Sequence, residues 1–311
     1  MISIVKPGLQ ATLQGAPRKG YRHLGIPYAG PADPLSMALA NRLVGNRLDA
    51  TCLEITFGGF EAEIEQDCTI AVAGAGESVT VSGAMAPLHE TLQIEAGQRI
   101  EIAPLRRGAR SYLAIHSGFR ARVQFGATST YLPAQLGGHD GRALQAGDCL
   151  SAIGQARYHH ARKTPPSLRP FFDGKYALRA TASAETELLS AAARETLFAA
   201  TFTVGRQATR MGISLDGHPV IPESDGMMES APVFPGIVQC PPSGVPIALL
   251  CDAQTTGGYP RIASIARCDR HLLGQARPGD QIRLLHRTPA QAVTDYQRKQ
   301  ALLNSWLGSG V

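Results

Sequence analysis

Cysteine is sparse and unpatterned in this chain. Six cysteines stand at positions 52, 68, 149, 240, 251 and 268, with no Cys-x-x-Cys pair and no histidines at zinc-ligand spacing. No metal site is expected. The opening Met1-Ile2-Ser3-Ile4-Val5-Lys6-Pro7 starts directly as a strand, without a leader-like segment. Reduced thiols in a cytoplasmic protein are the expectation. No apolar run reaches the ~18 residues of a membrane span. Aromatics make up 6% of the chain and the formal net charge is +5, but the basic residues are scattered. Without a basic stripe interleaved with aromatics, nucleic-acid binding is not expected. The modest positive excess favours anionic small molecules or an acidic protein partner.

Two catalytic signatures are also missing. The Gly-x-Ser-x-Gly elbow fails at His116-Ser117-Gly118, because position 115 is Ile. His116 and Ser117 are strand neighbours and face opposite sides, so they form no nucleophile–base pair by adjacency. Gly74-Ala75-Gly76 follows the apolar Ile70–Ala73, but no helix pattern comes after it, so the dinucleotide fingerprint fails its context.

What the chain has in quantity is glycine and proline, 33 and 21 residues, with few long helical patterns. That points to a mainly β, turn-rich fold. At 311 residues two domains are expected. The Pro-rich, charged stretch after Gln155 marks the boundary, giving domains 1–158 and 171–311 with a linker at 159–170. A turn pattern recurs at Glu95–Ile100, Gln145–Leu150 and Arg277–Ile282, each a glycine, a polar residue and a following apolar strand. The chain therefore reads as two related β-rich halves.

Three helices are expected. Asp33 caps the first, with Pro34 in its first turn, Leu35, Leu39 and Leu43 along one stripe, and Gly45 ending it. Asn41 lies off the stripe and is expected at the surface. A second helix is expected over about 183–199. The last opens with Thr288, Pro289 and Gln291 as a capping box. Glu54, between Leu53 and Ile55, faces either solvent or a site, and His139-Asp140 forms a local acid/base pair or an exposed turn.

The stretch richest in chemistry runs from Leu249 to Ala263. A buried strand, Ile247–Leu250, breaks into Asp252, Gln254, Thr255, Thr256, Gly257, Gly258, Tyr259 and Arg261. Glycines let backbone N–H groups approach a ligand, and amide, hydroxyl and guanidinium groups orient a carboxylate or planar amide. The plainer reading is a hairpin whose polar residues satisfy their own backbone.

Gln254-Thr255-Thr256-Gly257-Gly258-Tyr259-Pro260 resembles the signature of the family of 5-oxoprolinase C subunits, which also holds the carboxyltransferase region of urea carboxylase and an antagonist of a kinase inhibitor. Gly20–Pro27, Gly30–Asp33, Ala40–Asn46, Leu53–Gly59 and Arg210–Gly217 resemble the family's other blocks in order and spacing. The likeness runs from about residue 5 to about residue 290. It implies two cyclophilin-like β-barrel domains with a few short helices. It implies the C subunit of an ATP-dependent 5-oxoprolinase, inactive alone, which opens 5-oxo-L-proline to L-glutamate. The implied partners are the B subunit, in direct contact, and the A subunit. No cofactor is held tightly; the complex uses ATP.

On this reading Asp252 or His23 moves protons, and Arg22 or Arg261 holds the substrate carboxylate. Thr255, Thr256 and the Gly257-Gly258 N–H groups stabilise developing oxyanion charge, Gln254 is a further catalytic candidate, and Gly257, Gly258 and Tyr259 help bind the substrate. The alternatives are a carboxyltransferase component of a biotin-dependent urea or amide carboxylase, taking biotin from a partner, and a non-catalytic regulator that binds a protein. Family acids are missing at Gly15, Thr209 and Ala231.

Overall fold

The turn that recurs in sequence is one structure used three times. In the computed structural model, which describes every residue except 156, 224–226 and 309–311, Gly97, Gly147 and Gly279 all take a left-handed φ, of 84°, 90° and 90°. Each glycine N–H donates across to a strand carbonyl: Ile64 at 2.7 Å, Ile4 at 2.8 Å and Val204 at 2.8 Å. The next residue's carbonyl then accepts from that same strand residue's N–H. The next residue's side chain (Gln98, Asp148 or Asp280) accepts from the N–H that opens the turn.

Strand outweighs helix, 33% against 18%, so the chain is mainly β as expected. Two compact units form. One comprises Met1–Arg18, Ala29–Phe172 and Leu303–Val311; the other comprises Lys19–Tyr28 and Asp173–Leu302. Residues 159–170, read above as a linker, pack within the first unit. There Thr164 N donates to the His89 carbonyl at 2.9 Å, Arg162 Nη1 donates to the Arg42 carbonyl at 2.9 Å, and Leu168 is buried.

The first unit holds β1 (Ile2–Pro7), β2 (Gln10–Gln14), β3 (Cys52–Thr56), β4 (Phe60–Ile64), β5 (Cys68–Gly74), β6 (Val79–Val81), β7 (Ala84–Ala86), β8 (Leu92–Ile94), β9 (Arg99–Ile102), β10 (Arg110–Ile115) and β11 (Cys149–Leu150). They form a sheet ordered β11-β1-β4-β9-β6-β7 and another ordered β2-β3-β10-β5-β8. Both sheets contribute to one core, with Ile4, Leu13, Phe60, Ile70, Val72, Ile100 and Leu113 among its members. The alternate residues of β5 and β10, Ala71, Ala73, Tyr112 and Ala114, face a second apolar layer with the helix α1 (Pro34–Leu43). A strand buried on both faces is why β5 reads as a continuous apolar run.

Asp33 caps α1 as expected, accepting from Ser36 N at 2.9 Å. Asn41 corrects the surface expectation. It is fully buried, its Nδ2 donating to the carbonyls of Leu48 at 3.2 Å and Ala50 at 2.8 Å, and its Oδ1 accepting from Asn46 at 2.9 Å. An amide that ties down a following loop is indistinguishable, in periodicity, from a solvated one. Glu54 is likewise fully buried, not at the surface. Its Oε2 accepts from Ala32 N at 2.9 Å and from the Tyr112 hydroxyl at 2.7 Å, while Arg110 approaches Oε1 at 3.4 Å. Together these fix the entry to α1.

The second unit is a closed barrel of seven strands: β12 (Lys175–Ala182), β13 (Thr201–Val204), β14 (Gly212–Asp216), β16 (Ile237–Gln239), β17 (Ile247–Leu249), β19 (Arg261–Ile265) and β20 (Gln281–His286). A separate short ladder pairs β15 (Ala231–Pro232) with β18 (Thr256–Gly257). The helix expected over 183–199 is divided into a 3-10 turn, Thr186–Leu188, and α2 (Ala191–Ala199). Ser190 breaks it by capping α2, its Oγ accepting from Ala193 N at 3.1 Å. α3 (Arg270–Leu273) is one turn, and α4 (Pro289–Leu307) carries the expected capping box. There Thr288 N donates to Gln291 Oε1 at 2.9 Å, and Gln291 N donates to Thr288 Oγ1 at 3.3 Å.

Candidate functional site

Period-two alternation in the second unit's barrel wall builds a floor. Val238, Ala248 and Ile213 lie in register on neighbouring strands and point into the barrel core. The next residues in register, Gln239, Ile247 and Ser214, point to the outer face. They floor a cleft of about 570 Å³. One wall comes from the hairpin loop carrying Arg206, Gln207 and Thr209; the other comes from Gln254 and Tyr259. Gly205 leaves room for these side chains: an added Cβ would stand 2.0 Å from Ser214 Oγ and 2.7 Å from Asp216 Oδ2, so both would have to turn away.

An amide relay crosses the cleft. Gln254 Nε2 donates to Gln239 Oε1 at 3.2 Å, and Gln239 Nε2 donates to the Tyr259 carbonyl at 3.0 Å. Gln239 is buried, while Gln254 and Tyr259 are exposed. The relay fixes the Gln254 carboxamide and leaves it an acceptor oxygen and a second N–H to offer a ligand. Gly257 stands over the relay, where an added Cβ would lie 2.7 Å from Gln239 Nε2.

The remaining signature residues are held by other partners. Thr256 and Gly257 form the ladder with Pro232 and Ala231. Gly258 lies against the Met228 carbonyl, and its own carbonyl accepts from Met228 N at 2.9 Å. The Thr255 carbonyl accepts from Val233 N at 3.1 Å and from Arg22 Nη2 at 3.1 Å. Asp252 is buried against Arg210, with Nε to Oδ2 at 2.8 Å and Nη2 to Oδ1 at 3.0 Å. Arg261 is gripped by Glu185, its Nε donating to Oε2 at 2.7 Å and its Nη2 to Oε1, while its Nη1 donates to the Pro232 carbonyl at 3.0 Å. That hydrogen bonding lowers the Glu185 pKa and raises that of Arg261.

Arg22 sits between the Tyr28 and Phe234 rings, 4.8 and 4.7 Å from their centroids, and also donates to the Val233 carbonyl. Burial lowers its pKa, and stacking on two rings offsets part of that cost. Its Nη1 is buried and has no hydrogen-bond partner among the described residues. His23, beside it in a 3-10 turn, is exposed.

The His139-Asp140 pair does not form. His139 Nε2 lies 3.3 Å from Asp148, and Arg142 grips the same carboxylate at 2.7 Å through both its nitrogens. Hydrogen bonding to Arg142 pulls the Asp148 pKa down.

Residues 24–286 match the carboxyltransferase domain, subdomain A and B. This chain belongs to that carboxyltransferase-domain family. It is 33% identical over 300 residues to the C subunit of the 5-oxoprolinase of Escherichia coli (strain K12), covering 96% of each chain. It is 26% identical over 308 residues to the urea amidolyase of Saccharomyces cerevisiae, covering 91% of this chain and 16% of that protein. The crystal structure of the K. lactis urea amidolyase shares the fold with a TM-score of 0.92, at 24% identity over 98% of this chain and 20% of that one.

Of the candidate site residues read from sequence, Gln254 and Tyr259 line the cleft; so does Thr209, one of the positions where a family acid is missing. Gln239, Ser214, Asp216 and Arg206 also line it; Ser214 and Asp216 fall in the family-like block Arg210–Gly217 but carried no expected role, and Gln239 and Arg206 carried none either. The first three alternate with apolar residues along β16 and β14, and that alternation was the available signal. Arg206 is a loop arginine with no distinguishing local pattern. Among the described residues, no group of three or more His, Cys, Asp or Glu gathers, and no helix is long and apolar enough to cross a membrane.

Proposed function

We propose that this chain is the C subunit of an ATP-dependent 5-oxoprolinase, working with the A and B subunits to open 5-oxo-L-proline to L-glutamate, and that the cleft on the second unit's barrel receives the lactam. The observation that carries this reading is the Gln239–Gln254 relay. A lactam presents its N–H and C=O on one edge, and a carboxamide with a free oxygen and a free N–H matches that edge with two hydrogen bonds. Resemblance to 5-oxoprolinase C subunits over nearly the whole chain supports the substrate class.

The chain's contribution is binding and orientation. Opening the ring adds one water across the C–N bond, and ATP hydrolysis by the complex drives it. Asp252 is bound to Arg210, so the carboxylate that faces the cleft is Asp216. On this reading Asp216 moves a proton in the bound complex, which its place among the lining residues supports. Tyr259 covers the amide, and its carbonyl anchors Gln239.

A second reading has a specific observation behind it. Urea amidolyases share this fold, and the ureido ring of biotin presents the same kind of amide edge as a lactam. In that reading the chain is the carboxyltransferase component of a biotin-dependent urea or amide carboxylase.

ATP-dependent glutamate release from 5-oxoproline separates the two. The assay compares the A and B subunits with and without this chain, in the presence and absence of avidin. Release that requires this chain and ignores avidin supports the first reading. No release from a stable three-component complex rejects it, and avidin-sensitive carboxylation of urea supports the second.

A further inference from the structure

Four guanidinium groups stand on the loop that walls the cleft or on and against the signature turn, and three of them are held by other partners. Arg210 is paired with Asp252, Arg261 with Glu185 and the Pro232 carbonyl, and Arg22 with two carbonyls and two rings. The fourth, Arg206, lines the cleft wall, is exposed, and makes no ion pair among the described residues. Asp216, the one carboxylate among the lining residues, lies against Gly205 and does not pair with Arg206.

The loop that carries Arg206 is pinned at both ends. Gly205 N donates to the Ser214 carbonyl at 3.0 Å, Thr209 N to the Gly212 carbonyl at 3.1 Å, and Met211 N to Thr209 Oγ1 at 3.1 Å. A guanidinium on a fixed loop, in a cleft whose other wall offers a carboxamide, makes two-point recognition: an amide edge on one side and an anion on the other.

We infer that Arg206 is the residue of this chain that binds the carboxylate of the cleft's ligand. The inference rests on the cleft reading above and deepens it. A planar guanidinium takes a carboxylate through two parallel hydrogen bonds. Losing such a charge-assisted contact weakens binding by about ten- to a hundredfold. The selectivity follows from the same geometry. A lactam without a carboxylate uses the Gln254 side of the cleft and gains nothing from Arg206.

The test is calorimetric titration of the full chain and of its Arg206→Gln and Arg206→Lys variants with three probes. These are 5-oxoproline, the neutral lactam 2-pyrrolidinone, and glutarate, which has carboxylates and no lactam. We expect Arg206→Gln to weaken 5-oxoproline and glutarate at least about tenfold, to leave 2-pyrrolidinone unchanged, and Arg206→Lys to fall between wild type and Gln. Arg206-dependent binding of glutarate with no binding of either lactam keeps the anchor and rejects the lactam reading of the cleft. Equal loss for neutral and anionic probes, or affinity for both anions that ignores Arg206, overturns the inference. In the reconstituted complex the same variant should raise the KM for 5-oxoproline by a similar factor with little change in kcat.

Discussion

Arg210 and Asp252 meet as a buried, two-pronged ion pair, Nε to Oδ2 at 2.8 Å and Nη2 to Oδ1 at 3.0 Å, with 6% and 3% of each residue exposed. Asp252 N also donates to the Arg210 carbonyl at 2.9 Å, so backbone and side chains join the hairpin loop to the signature turn. Removing one charge strands the other away from water. We predict that Arg210→Met or Asp252→Leu alone costs about 3–5 kcal/mol. The double variant Arg210→Met/Asp252→Leu should recover a large part of that loss. Urea unfolding midpoints of the four proteins check this. Additive losses in the double variant would mean that the pair does not act as a structural link.

His89 carries a pH dependence of known sign. It is buried, burial and the nearby Arg169 push its pKa down to about 4, and its Nδ1 has no hydrogen-bond partner among the described residues. Above the unfolded value of about 6.5 the ring is neutral in both states. As pH falls, the unfolded chain takes the proton first, so stability drains away until the folded pKa is passed. Between pH 7 and pH 5 the loss should be about 2 kcal/mol. His89 has a φ of 61°, which asparagine tolerates. His89→Asn should flatten that part of the stability–pH curve, as read from denaturant midpoints at the two pH values.

The three reused turns make a controlled experiment on backbone conformation. Gly97, Gly147 and Gly279 share φ values of 84–90°, and an added Cβ meets nothing within 4 Å at any of them. Steric neighbours therefore contribute nothing, and Ala substitution reports only the left-handed backbone. Each Gly→Ala variant should lose about 1–2 kcal/mol, with the three values close together. Differential scanning calorimetry gives the comparison, and a wide spread would mean that the turns differ in the unfolded chain or in strain.

What was legible in the sequence follows from which interactions are local. The caps at Asp33 and Thr288 and the three turns are set by residues within a few positions of one another, and spacing displays them. Asn41, Glu54 and Asp252 are different. Glu54 and Asp252 are buried by partners 22 to 58 positions away, Ala32, Arg210 and Tyr112 among them, and no short window of sequence contains both members; Asn41 bonds Asn46, Leu48 and Ala50 only 5 to 9 positions on, but through an irregular loop that helical periodicity does not display. The pairing of side chains within the signature turn is hidden for the same reason. Asp252 and Arg261 look like reactive groups until Arg210 and Glu185, from other strands and turns, are folded onto them. The helix expected over 183–199 fails more locally, because Ser190 offers a cap where the periodicity offers continuity.

Gly257 gives the sharpest test of the relay that orients Gln254. Its φ is not in the left-handed region, so alanine is tolerated by the backbone, but the new Cβ would stand 2.7 Å from Gln239 Nε2 and 3.1 Å from Gln239 Oε1. The Gln239 amide must then turn, which breaks its bonds to the Tyr259 carbonyl and to Gln254. Each bond is worth about 1 kcal/mol to stability, so Gly257→Ala should fold with a melting temperature only a few degrees lower. Its effect on a bound lactam should be larger, because Gln254 loses the partner that holds its free oxygen and N–H in place. We expect 5-oxoproline affinity to fall about tenfold, measured by titration, with Gln239→Leu showing the same loss. Retained affinity in both variants would show that the lactam edge is read elsewhere in the cleft, and would shift attention to Ser214 and Thr209, which also line it.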